Sequence, residues 1–183
     1  MHDIPVSGYG RLENSTDKLT GSAQSAEVGL QMRYEAPWPF TFESLDDHPT
    51  VRALPSLKPK IHRMESDLLS FEQGSKPAIN HSDLHEGQLL VSADSLTALL
   101  DFNDAFVGRR EWDLGSYLYF HGSKCLGDLL DGYCRSTDDR SSLTDQAALA
   151  SVLIALHHGN RGAILGRPHR IEASVKYLSC MFL

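Results

Sequence analysis

Apolar residues recur at helical spacing most clearly between positions 57 and 73. There Leu57, Ile61, Met64, Leu68 and Phe71 follow one another at intervals of four, three, four and three. Such spacing places all five on one face of a single helix. Ser56 stands where a cap belongs, Pro59 is tolerated in a first turn, and Gly74 ends the pattern. Upstream the patterning is poor. Residues 1–21 are rich in Gly, Ser, Asn, Asp and Thr, lack strand alternation and read as loop. Residues 22–35 read as a short helix capped by Ser22. The stretch Glu35 to Phe40, with prolines on both sides of Trp38, breaks it, and a loop containing Pro49 and Pro55 runs to about residue 56.

The middle of the chain changes character. A polar segment, Asn80 to Gln88, leads into the short apolar run Leu89-Leu90-Val91. Turn residues Ser92 to Ser95 separate it from a second run, Leu96 to Leu100, which ends at Asp101. Two short runs across a small polar turn predict a β-hairpin. The remainder reads as four helices, at about 113–121, 123–135, 143–158 and 169–182. No internal repeat or low-complexity tract interrupts them. The order predicts one domain over residues 1–183, mainly α with a short β-hairpin (α+β).

Composition narrows the function classes. Apolar residues make up 41% and charged residues 22% of the 183 residues, as in an ordinary globular domain with a real core. A net charge of −7 gives no footprint for nucleic acid and suits a cytoplasmic protein. No apolar stretch approaches the roughly 18–20 residues of a membrane span. The N-terminus MHDIPVSGYG carries no secretory signal. Cys125, Cys134 and Cys180 fit neither a disulfide framework nor a zinc knuckle, and read as small buried hydrophobes.

Chemistry concentrates around the hairpin. Before it stands His81-Ser82-Asp83-Leu84-His85-Glu86-Gly87-Gln88; after it come Asp101-Phe102-Asn103-Asp104 and Trp112-Asp113-Leu114-Gly115. Asp83 and Gln88 are five apart, Gln88 and Asp101 thirteen, Asp101 and Asp113 twelve. The pattern and spacings resemble the aminoglycoside-phosphotransferase-like kinases, relatives of the protein kinases. Their motif runs His-x-Asp-x-x-x-x-Asn, then a hairpin, an Asp-Phe element and an Asp-Leu-Ala or similar triplet. Gly8-Tyr9-Gly10 is similar to a stretch often found upstream in that family.

The resemblance implies the C-terminal lobe of a protein-kinase-like fold, transferring the γ-phosphoryl group of ATP or GTP to a hydroxyl on a small molecule. That reaction needs positioning and charge neutralisation more than covalent help. Asp83 suits the catalytic base, which orients the hydroxyl and takes its proton. Asp101, at the end of the hairpin, suits the Mg²⁺ ligand. By resemblance Gln88 is the second metal ligand, Asp113 braces the catalytic loop through backbone hydrogen bonds, and His81 packs near Phe102 as support. Asp104 either faces the acceptor or caps a following helix. Gln88 replaces the family's asparagine with a stem one methylene longer, which leaves either a functioning variant or a degenerate site.

The family's N-terminal nucleotide-binding lobe has no counterpart here. The residues before His81 contain neither a G-x-G-x-x-G loop nor a Val-Ala-x-Lys strand, and Lys58 and Lys60 sit among prolines. The chain is expected to be inactive or very weak alone, and to self-associate through the exposed lobe interface. Two other readings compete: a non-catalytic pseudokinase or orphan binding lobe, and a metal-dependent hydrolase built on His81, Asp83 and His85. Elsewhere His157 and His158 read as residues of a helix end, Arg109 and Arg110 as a solvated face, and Trp112 and Tyr117 as core. Arg161, Arg167, Arg170 and Lys176 against the single Glu172 argue against a polycationic aminoglycoside as acceptor.

Overall fold

In chain order the first elements are strands β1 (Tyr9–Ser15) and β2 (Lys18–Ala23), paired antiparallel. The computed structural model describes residues 1–15, 18–34, 38–39, 44–71, 73–134 and 136–182. The strands overturn the loop reading of residues 1–21. Gly, Ser, Asn and Thr show no alternation, and part of the pairing comes from elsewhere in the chain. Gly10 and Arg11 of β1 pair with Val107 and Phe106 in the second half of the sequence. Tertiary pairing here overrides weak local preference.

Helix α1 (Ala26–Tyr34) follows. The Val28 N–H donates to the Ser25 hydroxyl at 3.3 Å, so Ser25 supplies the cap, and Ser22 belongs to β2. Residues 35–37 and 40 of the expected break lie outside the described residues. Next come α2 (Pro49–Ala53), a 3-10 turn at Pro55–Leu57, α3 (Lys58–Arg63) and α4 (Glu65–Ser70). Leu57, Ile61, Leu68 and Phe71 are buried as one face, with Met64 packed at its edge. The single helix expected over 57–73 is nevertheless broken, because Met64 (φ −91°, ψ −3°) makes a tight turn between α3 and α4. Periodicity reports which residues face the core, and a tight turn can keep that face without continuous helix. Ser56 lies inside the 3-10 turn, and α3 starts without a side-chain cap.

Four short strands lie around the segment from His81 to Gln88: β3 (Ala78–Asn80), β4 (Leu89–Ser92), β5 (Ser95–Leu99) and β6 (Phe106–Gly108). β4 and β5 form the expected hairpin, with Leu89 opposite Leu99 and Ser92 opposite Ser95. β3 and β6 are antiparallel partners, and together with the first two strands give a sheet ordered β2-β1-β6-β3. At three residues each, β3 and β6 are too short for an alternation pattern.

Helices α5 (Glu111–Tyr133), α6 (Thr137–Ile164) and α7 (Pro168–Met181) complete the chain. α5 breaks at Gly122 (φ 83°), so its halves match the two helices read from sequence. α6 extends beyond 143–158 at both ends. Ser136 accepts from the Asp139 N–H at 3.1 Å, and Asp138 and Asp139 occupy the first turn, a start signal that apolar spacing alone passes over. The main core gathers Phe71, Phe106, Trp112, Leu153, Leu156 and Leu178, and a second cluster joins Leu114, Leu126, Leu130 and Leu143.

Several side chains correct the sequence reading. Arg109 is not solvated: its guanidinium lies 4.5 Å from the Phe71 ring centroid, donates to the Phe71 carbonyl and pairs with Glu111 at 3.2 Å. His157 and His158 are not at a helix end, because α6 continues to Ile164. Trp112 is fully buried, whereas Tyr117 is half-buried with its ring beside His121 at 4.3 Å. The three cysteines are free, and none is buried.

Candidate active site

The segment from His81 to Gln88 has little regular structure of its own, so its conformation depends on what holds its backbone. Asp113, in the first turn of α5 and only 3% exposed, does most of this. One carboxylate oxygen accepts the His81 N–H at 3.0 Å and the other accepts the Ser82 N–H at 2.8 Å. One turn on, the Ser116 hydroxyl accepts the Leu84 N–H at 3.2 Å, and farther along His121 Nε2 lies 3.1 Å from the Leu84 carbonyl. α5 can serve as this frame because it lies hard against α6 at Gly115. A Cβ there would come within 2.5 Å of the Ala150 side chain. Ser82 adopts φ 65°, a left-handed conformation that a non-glycine residue holds only under such constraint.

A second set of contacts stitches this loop to the segment after the hairpin. Buried His81 sits with Nε2 2.7 Å from the Leu100 carbonyl; since a carbonyl only accepts, the ring proton is on Nε2. The His81 and Phe102 rings meet edge-on at 4.7 Å. The Ser82 hydroxyl donates to the Asp104 carbonyl at 2.6 Å, and the Leu100 N–H donates to the Gln88 carbonyl at 2.9 Å. The residues flanking Asp83 and those flanking Asp101 are therefore one cross-linked unit.

Asp83 is partly exposed, with Oδ2 3.7 Å from His85 Nε2. Asp101 is exposed at φ 56°, and its carboxylate accepts the Asn103 N–H at 3.4 Å. Gln88 lies with its side-chain amide 3.3 Å from His85 Nε2. Asp104 caps no helix, since β6 follows it. It lines a small polar cavity of about 300 Å³ with Arg11, Leu12, Asn103 and Ala105.

Hard carboxylate and amide oxygens are what Mg²⁺ takes, and it commonly needs only one or two of them beside phosphate oxygens and water. Asp101 fits that demand. A closed, all-protein metal centre does not fit: among the described residues no three His, Cys, Asp or Glu side chains gather to hold an ion. His81, Asp83 and His85 thus do not form the cluster a hydrolase of that type requires. Sequence reasoning missed Ser82, Ser116 and His121 as clamps on the loop. The signal for Ser116 was present, since it stands three residues after Asp113 on an otherwise apolar face.

The family model described as "Phosphotransferase enzyme family" matches residues 13–145. No curated protein sequence matches the chain. Among solved structures, the apo form of a thermostable mutant of aminoglycoside phosphotransferase APH(4)-Ia is similar with a TM-score of 0.63 and 10% identity, over 97% of this chain and 57% of that one. A ternary complex of that enzyme with ADP and hygromycin B gives a TM-score of 0.62 and 9% identity, with the same coverage of 97% and 57%. The GDP complex of wild-type aminoglycoside 2'-phosphotransferase-IIIa gives 0.58 and 14% identity, over 98% of this chain and 76% of that one. Identities this low speak to the fold, which is the kinase-like fold of these enzymes. The chain spans 57% of the length of APH(4)-Ia.

Proposed function

Because the chain belongs to the phosphotransferase enzyme family, we propose that it is the catalytic lobe of a kinase that phosphorylates a hydroxyl of a small molecule. The carrying observation is the double grip of Asp113 on the backbone of His81 and Ser82, which fixes the loop presenting Asp83. In this reading Asp83 orients the acceptor hydroxyl and takes its proton as the new P–O bond forms. Asp101, with Gln88 as a second donor, holds Mg²⁺, which neutralises the phosphate oxygens of the nucleotide when bound. Asp113, His81 and Phe102 keep the two segments in register. The donor is ATP or GTP; related structures hold ADP in one case and GDP in another. The missing part of the nucleotide site belongs to a lobe outside these residues, and the chain on its own transfers phosphate weakly.

The test is phosphoryl transfer from Mg-ATP and Mg-GTP to a panel of small alcohols, including amino sugars, by the chain joined to or mixed with a candidate N-terminal lobe. Transfer that Asp83→Asn abolishes supports the assignment. Transfer that survives Asp83→Asn removes Asp83 as the base. Nucleotide binding without transfer to any acceptor favours the non-catalytic lobe, for which the substitution of Gln for Asn at position 88 is the supporting feature.

A further inference from the structure

His85 stands between the two residues whose geometry matters most for this chemistry. Its Nε2 is 3.3 Å from the Gln88 side-chain nitrogen and 3.7 Å from Asp83 Oδ2. Its Nδ1 accepts the Gly87 N–H at 3.0 Å. A backbone N–H can only donate and cannot be turned round, so Nδ1 must be the bare nitrogen. The neutral ring then carries its proton on Nε2, and the imidazolium, with a proton on both nitrogens, would break the Gly87 bond. An Nε2–H facing the amide nitrogen of Gln88 would be two donors nose to nose. The Gln88 amide is therefore turned so that its oxygen faces His85, an assignment that hydrogen-bond logic decides for any glutamine.

The ring is held for this purpose. Gly87 lacks a Cβ, and one built there would lie 2.7 Å from His85 Cε1 and 3.1 Å from Nδ1, so only glycine lets the ring settle on its N–H. Phe120 of α5 closes the other side, its ring centroid 5.6 Å from that of His85. We infer that His85 is the positioning residue of Asp83: Gly87 fixes its Nε2–H tautomer, and that N–H, which bonds the Gln88 amide oxygen, also faces the Asp83 carboxylate at 3.7 Å, an electrostatic contact longer than a hydrogen bond. Drawing one carboxylate oxygen of Asp83 towards the ring leaves the other to meet the acceptor hydroxyl. The inference rests on the assignment of Asp83 as the base, but the contact itself can be measured without turnover.

The experiment is NMR of the purified chain carrying ¹⁵N-labelled histidine and ¹³C-labelled aspartate. The His85 ring is expected to show a protonated Nε2 and a bare Nδ1. Asp83→Asn is expected to shift the Nε2 resonance, and His85→Phe to shift the Asp83 carboxyl resonance. His85→Gln, whose amide N–H can reach the place of Nε2–H, should restore the Asp83 carboxyl shift. His85→Asn, whose amide reaches only to Nδ1, should not. Gly87→Ala is expected to displace the ring and reproduce the His85→Phe spectrum at Asp83 while the rest of the fold stays intact. A proton on Nδ1, or an Asp83 resonance indifferent to His85→Phe, overturns the inference whether or not the chain transfers phosphate. Absence of transfer by the chain joined to a candidate N-terminal lobe, with these shifts intact, counts against the kinase assignment alone.

Discussion

Asp113 shows how much one side chain can fix. Its two oxygens take two consecutive backbone N–H groups, and His2 Nε2 adds a third contact at 3.1 Å. Asp113→Asn keeps the size but replaces one acceptor by a donor, so one buried N–H faces an amide N–H. We expect a loss of about 2–3 kcal/mol in urea unfolding, together with loss of any transfer activity; an unchanged midpoint would mean the loop is held elsewhere. A second residue-scale consequence concerns pH. His48 is 8% exposed, and burial pushes its pKa down to about 4, with the Leu156 carbonyl opposing the shift. His158, 2.6 Å from the Tyr119 hydroxyl, is also lowered to about 4, by burial first and then by Arg170 and His169. Both are neutral when folded, while in the unfolded chain they take up protons below about 6.5. Their stabilisation is thus complete above about pH 6.5 and is lost as pH falls towards 4. His48 accounts for on the order of 3 kcal/mol and half-exposed His158 for less. His48→Asn keeps an acceptor for the Thr50 N–H and removes the titration, so the slope of unfolding free energy between pH 7 and 4.5 should flatten. A slope identical to that of the parent protein would exclude His48 as its source.

At the scale of elements, the hairpin β4–β5 is the piece that brings the two carboxylate segments together, and its weak point is the turn. Ala93 (φ 47°) and Asp94 (φ 63°) both sit in the left-handed region, as a two-residue loop of the I′ kind demands. Alanine is a poor occupant of that position, since its Cβ crowds the following carbonyl. Ala93→Asn or Ala93→Gly is expected to raise stability by about 0.5–1 kcal/mol, read as a higher melting midpoint. A drop would show that the alanine methyl packs against something useful. The turn explains why the hairpin was recognisable: two apolar runs and four small residues, three of them polar, identify it, although the preferred Asn-Gly pair is absent. The helix over 57–73 shows the converse. Its apolar face was legible, but the turn at Met64 was not, because a spacing of three or four is served equally by one helix or by two short ones in tandem.

At the scale of the molecule, apolar side chains remain uncovered beside the candidate catalytic segment. Leu90, Val91, Leu96 and Phe102 are 51%, 59%, 59% and 47% exposed, all on or next to the hairpin. Exposed apolar side chains of this kind favour association. We expect sedimentation to reveal concentration-dependent self-association that the double substitution Val91→Glu, Leu96→Lys suppresses. On the proposed reading that the phosphate-covering loop belongs to a lobe outside these residues, the purified chain should bind Mg-ATP no more tightly than about 100 µM by calorimetry. A monodisperse monomer, or micromolar binding, would show that the described surface needs no further lobe.

What the sequence offered by itself is a candidate chemistry and the order of its residues. Asp83, Gln88, Asp101 and Asp113 stand out because their types and separations resemble those of a kinase motif, and a short hairpin between them is a local structure with a local signal. The three C-terminal helices are readable for the same reason, since each carries its own apolar face. Tertiary structure alone decided the rest. The polar stretch before residue 24 became β1 and β2, with Gly10 and Arg11 meeting Val107 and Phe106 from β6, nearly a hundred residues away. Arg109 became a half-buried clamp because Phe71 lies beside it. His85, which in sequence looked like one of three metal ligands, acquired its partners only when the turn at Gly87 folded an N–H onto its ring. A pattern along the chain records what each residue prefers; which atom it meets depends on a fold that brings distant residues within a few ångströms.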